Sequence, residues 1–377
     1  MIITESSSFR KGHHATHSNR LCIVNLRLPT NRPSPAHCQA HLPGGTMQLA
    51  NKTRRMKALL NPELLRVLAC PWDHTPLHMS DSGLLCENTH NFTLEAGTPI
   101  FTEHVRREPV PRNMEPCAHL DANDPIDRFV RNWLVNTNGN LYWRARSRLQ
   151  RYPIPHWPFQ GGEGRLLVDV GCGWGRWTIA AAQAGYTPIG MDVHIDALEA
   201  ASRVSRQVGV RSDYVCADVE HLPFRSGSID VFFSYSVLQH LERPKVKGFL
   251  KEVSRTLSSQ GVCLIQLPNT LGPYNLVQQA RRRFRDGRPG TFEMRYWSRH
   301  AIEQAVAEAG LRDLTIRADG FFTQNPQLAD LDLLSLGGKL IVLGSHAGRR
   351  AAAVFPVLTR LADSLWIEAR SAEACNK

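Results

Sequence analysis

No stretch of the chain approaches the roughly 20 consecutive apolar residues that a bilayer-spanning helix needs, so a soluble protein with no membrane partner is expected. Cysteine is sparse: nine residues in 377, at 22, 38, 70, 86, 117, 172, 216, 263 and 375. An odd, scattered set excludes a disulfide-stapled secreted domain and suits a reducing cytoplasm. Acid is nearly missing from residues 1–55, which hold eight Lys or Arg against Glu5 alone. That segment also lacks periodicity and the apolar core of a secretory signal, and it is rich in Ser, His, Pro and Arg. It is expected to be disordered, either as a transit-type leader or as sequence ahead of a later start at Met47 or Met56. It accounts for +7 of the net charge of +11, which leaves +4 on the other 322 residues. So mild a balance does not imply a nucleic-acid partner.

Against these absences stands the segment LLVDVGCGWG, residues 166–175. A β-branched apolar run ends in Asp169, and Gly171, Gly173 and Gly175 follow at alternate positions before the helical stretch WTIAAAQAG. Strand, glycine turn and helix start are the arrangement in which backbone N–H groups closely approach a nucleotide-like ligand. A second strand, TPIGMD, ends in Asp192, where a carboxylate can accept from ribose hydroxyls. A third, within DYVCADVEHLPF, closes at Asp218. SIDVFFSYSVLQHL and GVCLIQLPN supply the fourth and fifth, separated by an amphipathic helix around KVKGFLKEVSRTL. The third glycine comes two positions after the second, not the three of a dinucleotide fingerprint, so a nicotinamide enzyme is the weaker reading.

In D-x-G-x-G-x-G, the second-strand acid, A-D-x-x-x-L-P-F and V-L-x-H-L, in that order, the chain resembles the class I S-adenosylmethionine-dependent methyltransferases of small-molecule type over roughly residues 120–370. The resemblance implies an α/β fold: a seven-stranded, mostly parallel Rossmann-like sheet with helices on both faces. It also implies cofactor contacts. Asp169 would receive the methionine ammonium, and the backbone of Gly171, Cys172, Gly173 and Gly175 would lie against the cofactor. Asp192 with Val193 would hold the ribose, Asp218 and the Val219 N–H the adenine, and Ser234 would close the set. Each carboxylate has an alternative as a turn or cap residue.

Residues 56–104 read as a separate small α+β unit, with Cys70 in a C-P-x-x turn and Cys86 and His90 in a hairpin-like stretch. This unit resembles the zinc-ribbon-like domain of the tRNA-methyltransferase activator family. Cys70, Cys86 and His90 match its ligand pattern, while Asp73 stands at the second position with His74 beside it. Either neighbour could complete a tetrahedral zinc shell; the alternative is a metal-free unit held by its own leucines. A linker over 105–123 follows, then a catalytic domain over 124–371 that opens on a helix capped by Asp124 with Pro125 at its first position.

In the family the helices ahead of the first strand fold over the cofactor, which makes Tyr142 and Trp143, with Tyr235 and Gln239 after strand four, candidate walls of the acceptor pocket. His240 has an unperturbed pKa suited to a general base. No N-P-P-Y-like or Pro-Cys motif follows strands four or five, which disfavours exocyclic amines of bases and 5-methylcytosine chemistry. The run RRRFRDGR after strand five is either a solvated face or a grip on an anionic partner. The last strand is expected in DSLWIEAR, with KLIVLG as the competing choice. Together these point to methyl transfer from S-adenosylmethionine to an O, N or C atom of a small molecule or glycan. An RNA methyltransferase that reads RNA through the front unit, and a non-catalytic binding protein, are the alternatives.

Overall fold

The computed structural model describes residues 60–107, 125–323 and 327–372. The segment 1–55, Asp124 and most of the expected linker lie outside them.

The sheet is built from β6 (Leu166–Val170), β7 (Thr187–Asp192), β8 (Asp213–Cys216), β9 (Ile229–Ser234), β10 (Leu257–Pro268), β11 (Arg312–Gly320) and β12 (Ser364–Arg370). Their spatial order is β11-β12-β10-β9-β6-β7-β8. β12 pairs antiparallel with both β10 and β11, and the remaining pairs are parallel. The parallel strands are near-continuous apolar runs because both faces are covered. Alternate residues serve opposite faces: Val168 joins the core formed with Phe249 and Ile302, while Leu167 joins Trp177 and Ala181. Those partners lie on α5 (Arg243–Thr256) and α7 (Arg299–Glu308) on one side and on α3 (Arg176–Gln183) on the other. α4 (Ile195–Gln207) packs Ile195 and Leu198 against Tyr214. Helices on both faces and a final antiparallel strand are as the sequence implies. KLIVLG lies inside α8 (Leu336–Val354), so DSLWIEAR supplies the last strand.

From β6 the chain goes one way to β7 and β8, then returns to place β9 and β10 on the other side. The crevice beyond the carboxyl ends of β6 and β9 is therefore a topological switch point, where open α/β sheets bind ligands.

The front unit is not a free-standing domain. Its α1 (Pro62–Val67), its hairpin β1 (Leu77–Met79) and β2 (Leu84–Cys86), and the short strands β3 (Asn91–Phe92), β4 (Leu94–Glu95) and β5 (Thr98–Pro99), followed by Phe101, put Leu64, Leu68, Leu84, Phe92 and Phe101 into the same core as Val168 and Phe232. The Phe101 N–H donates to Cys216 O at 2.8 Å, and the Arg106 N–H to Val193 O at 2.8 Å. The unit thus covers the exposed edge of β8. Residues 105–107, expected in a linker, belong to it.

The helix opening the larger domain, α2 (Arg128–Asn138), is capped by Asp127, whose carboxylate accepts the Phe129 N–H at 2.8 Å. Burial of Ile126 sets this later start, as does pairing of Asp127 with Arg203 on α4 at 2.8 Å.

Candidate functional site

Left-handed φ values of +72°, +54° and +83° at Gly171, Gly173 and Gly175 carry the chain from β6 into α3. Gly171 allows a close approach as well as a turn: a Cβ there would lie 2.4 Å from Val237 Cγ2, in the loop after β9. The turn is tied to β7. Gly171 and Cys172 N–H groups donate to Met191 O at 2.7 and 3.1 Å, and the Gly173 N–H donates to Asp192 Oδ2 at 2.9 Å. Asp192 Oδ1 accepts the His194 N–H at 3.0 Å. This acid therefore orients the glycine turn while keeping acceptor capacity on both oxygens.

Asp169 is buried and accepts from the Thr178 hydroxyl at 2.6 Å. Burial pushes its carboxyl up to about 7, opposed by Thr178 and by Arg176 nearby. Arg176, the first residue of α3, is only 5% exposed, and its Nη1 is without a hydrogen-bond partner. Its guanidinium sits 5.7 Å from the Tyr235 ring centre and 5.8 Å from that of Trp177. A buried cation with an unused donor is costly unless something anionic completes it. The sequence reading passed over Arg176, although an arginine heading an otherwise small and apolar helix was the available signal.

The helix α2 ahead of β6 packs against the turn. Trp174 Nε1 donates to Thr137 Oγ1 on α2 at 3.0 Å, and Thr137 Cγ2 is the nearest atom to the position a Cβ on Gly173 would take. Tyr142 is buried and donates to Asp330 Oδ2 at 2.5 Å, while Arg151 reaches Asp330 Oδ1 at 3.2 Å. Asp330 belongs to the segment inserted between β11 and β12, so this bond locks lid to insertion across 188 positions. Burial raises both the Tyr142 hydroxyl and the Asp330 carboxyl. Trp143 is not brought to this group: it is 65% exposed, with Arg146 over its ring.

After β9, the Tyr235 hydroxyl donates to buried Asp319 at 2.9 Å, and the Gln239 Nε2 to Ser236 Oγ at 2.7 Å, leaving Gln239 Oε1 unpartnered. The Ser234 hydroxyl donates inside the sheet to Val170 O at 3.1 Å. Cys172 is a buried apolar-packed thiol raised by burial, and offers backbone only. Asp218 lies two residues beyond β8, and its Oδ1 accepts the Glu220 N–H at 3.0 Å in a local turn; Val219 packs against the core. His240 Nδ1 lies 2.8 Å from Phe292 O. A carbonyl can only accept, so Nδ1 carries the proton and Nε2 keeps the lone pair. Burial lowers this imidazole below its usual value and keeps it neutral.

A cavity of about 980 Å3 lies beside β11 and β12, walled by Trp157, Phe159, Ala352 and Trp366, with Arg317 and Arg349. No residue of the glycine turn lines it. The connection runs through tilted aromatic pairs, with Trp366 to Tyr235 at 5.1 Å and Tyr235 to Trp177 at 4.9 Å.

In the front unit, ligand atoms of Cys70, Asp73, Cys86 and His90 lie within 4.8 Å of one another. His90 Nδ1 is 3.4 Å from Cys70 Sγ, 3.3 Å from Cys86 Sγ and 3.1 Å from Asp73 Oδ2. Tetrahedral zinc bonds of about 2.0–2.3 Å imply ligand separations of about 3.3–3.8 Å. His74 is not in this group. Asp73 is held in place by the Thr75 N–H and hydroxyl, at 3.0 and 2.7 Å.

Residues 168–265 match a family profile described as a methyltransferase domain. Among curated proteins the chain is 32% identical over 193 residues to the biotin biosynthesis bifunctional protein BioHC of Cellvibrio japonicus, covering 51% of this chain and 36% of that protein. It is 28% identical over 141 residues to the ubiquinone biosynthesis O-methyltransferase of Agrobacterium fabrum, covering 34% and 55%. It is 29% identical over 194 residues to the malonyl-(acyl-carrier protein) O-methyltransferase of Methylovorus sp., covering 49% and 63%. The chain thus spans less than two thirds of the length of each. The geranyl diphosphate C-methyltransferase structure from Streptomyces coelicolor is 18% identical with a TM-score of 0.37, covering 56% of this chain and 75% of that one. Residues 168–265 are thus similar to a methyltransferase domain. No helix among the described residues is long and apolar enough to cross a membrane.

Proposed function

We propose that the protein transfers a methyl group from S-adenosylmethionine to an oxygen, nitrogen or carbon atom of a small organic acceptor. The observation that carries this is the convergence of Asp169, the glycine turn, Asp192 and the unsatisfied Arg176 at the switch point of the sheet. These residues fit an amino-acid nucleoside: Asp169 faces the ammonium, Arg176 offers a donor to the carboxylate, and Asp192 accepts from the ribose diol. Asp218 with the Val219 N–H is left for the adenine. The cofactor supplies a methyl group already activated as a sulfonium, so this chain's part is to align the acceptor and exclude water. Tyr142, Trp177 and Tyr235 exclude water by their burial, and His240 Nε2 is the base for an acceptor that must lose a proton. The intact acids and glycines weigh against a binding-only fold. Calorimetric titration with S-adenosylhomocysteine should show saturable binding, and Asp192→Ala should weaken it at least tenfold, about 1.4 kcal/mol. Well-folded protein that takes up no S-adenosylhomocysteine would overturn the proposal.

We also propose that Cys70, Asp73, Cys86 and His90 hold one structural zinc ion. What supports this is the spacing of the four groups and the two Thr75 bonds that orient Asp73, since ligating carboxylates are themselves hydrogen-bonded. The zinc would brace the unit whose backbone pairs with Val193 and Cys216, next to the candidate ribose and adenine acids. Metal analysis of purified protein should find about one zinc per chain, and Cys86→Ser should lose it and unfold at lower temperature. Folded wild-type protein without zinc would rule the site out.

A further inference from the structure

We propose that the two insertions, residues 327–361 and 270–288, form a docking face for a lipid bilayer that carries anionic headgroups. α8 is attached by one side only. Gly338, Val342, Ser345 and Ala352 are buried, the Phe321 N–H donates to Ser345 Oγ at 2.8 Å, and a Cβ on Gly348 would lie 2.7 Å from Phe321 Cδ2. That fixes the opposite side outward, where Leu336, Leu340 and Leu343 are 75, 63 and 48% exposed at helical spacing. The stripe continues into Val354, Phe355 and Val357, all at least 60% exposed. Lys339, Arg350 and Arg360 accompany it, and residues 336–361 contain no acid.

The second insertion repeats the composition. In α6 (Pro273–Arg281) and its flanks, Leu271, Val277 and Phe284 are exposed beside Arg281, Arg283 and Arg285, none of which forms an ion pair among the described residues. The two are fastened together: Asn269 Nδ2 donates to Arg360 O at 2.9 Å and Asn275 Nδ2 to Asp363 O at 2.7 Å. Exposed aliphatic and aromatic side chains among unpaired cations are the makeup of an interfacial surface.

Charge decides the occupant. A second copy would set this basic face against another whose exposed acids, Asp286 and Asp332, are already paired with Arg243 and Arg151, and an RNA would leave the leucines in contact with water and phosphate. An anionic bilayer satisfies both components at once. The inference differs from the sequence expectation of no membrane partner, which concerned spans. It does not depend on the methyl-transfer reading, which binding of S-adenosylhomocysteine tests separately.

Flotation of the full chain with phosphatidylcholine vesicles, alone and mixed with phosphatidylglycerol, is the test. The chain should float with the mixed vesicles at least tenfold more than with phosphatidylcholine alone. Leu340→Glu combined with Leu343→Glu should abolish flotation, with melting temperature and S-adenosylhomocysteine affinity unchanged because both side chains are exposed. Arg281→Gln with Arg283→Gln should weaken it and steepen nothing else. Absence of flotation by folded wild-type chain overturns the proposal. So does a concentration-dependent dimer that the leucine pair breaks, or RNA binding lost in the arginine variant and kept in the leucine variant.

Discussion

Gly171→Ala should cost more stability than any other single-methyl addition to the glycine turn, and should abolish measurable S-adenosylhomocysteine binding. Two penalties coincide there. A backbone at φ +72° disfavours an L side chain by about 1–2 kcal/mol. The new methyl would meet Val237 Cγ2 at 2.4 Å and Cγ1 at 2.7 Å, and overpacking of that kind costs about 1–3 kcal/mol. Val237 cannot rotate away cheaply, because a β-branched side chain is stiff at χ1. The sum is a large share of a stability of about 5–15 kcal/mol. Gly164→Ala is the matched control: φ is +82° and nothing lies within 4 Å of the added methyl. Urea unfolding should therefore show Gly171→Ala well below Gly164→Ala, and Val237→Ala in the same chain should restore the steric part only. Equal losses at the two glycines would show that the turn is not wedged against the loop after β9.

That wedge illustrates what the sequence does and does not disclose. The strands β6, β7, β9 and β10 are legible because a strand buried on both faces must be an apolar run, and the acids at their ends stand out for the same reason. α8 is harder. KLIVLG satisfies a strand pattern locally, and only tertiary packing, with Val342 in the cluster of Tyr142 and Leu334 and Ser345 bonded to the Phe321 N–H, selects the helix. The helix cap moved from Asp124 to Asp127 because Ile126 is buried, which periodicity around one turn does not reveal. Asp73 displaces His74 as the fourth candidate ligand through its bonds to Thr75, while His74 turns away at φ +60°. The bond from Tyr142 to Asp330 joins segments that no local pattern connects. Ser234, at the end of β9, donates its hydroxyl within the sheet to Val170 O, a partner that no local pattern discloses.

Asp169 carries the second large expected effect, a pH dependence of cofactor affinity. Burial raises its carboxyl from 3.8 to about 7, with Asp192 adding to the rise and Thr178 and Arg176 opposing it. Without ligand, the folded chain therefore holds a proton on Asp169 between about pH 4 and 7 that the unfolded chain has released. This group's contribution to stability is full below pH 4 and is lost as pH rises through 7. Ligand binding reverses the preference, because the ammonium of S-adenosylhomocysteine is complementary to the carboxylate. Below pH 7 each bound proton must leave before that contact forms, so affinity should fall about tenfold per unit, or about fiftyfold from pH 7 to pH 5. Calorimetry in buffers of different ionisation heat should detect the released proton directly. Asp169→Asn should bind weakly at every pH with a flat profile over the same window. A flat profile in the wild-type chain would mean that Asp169 stays neutral in the complex and contributes a hydrogen bond, not a charge.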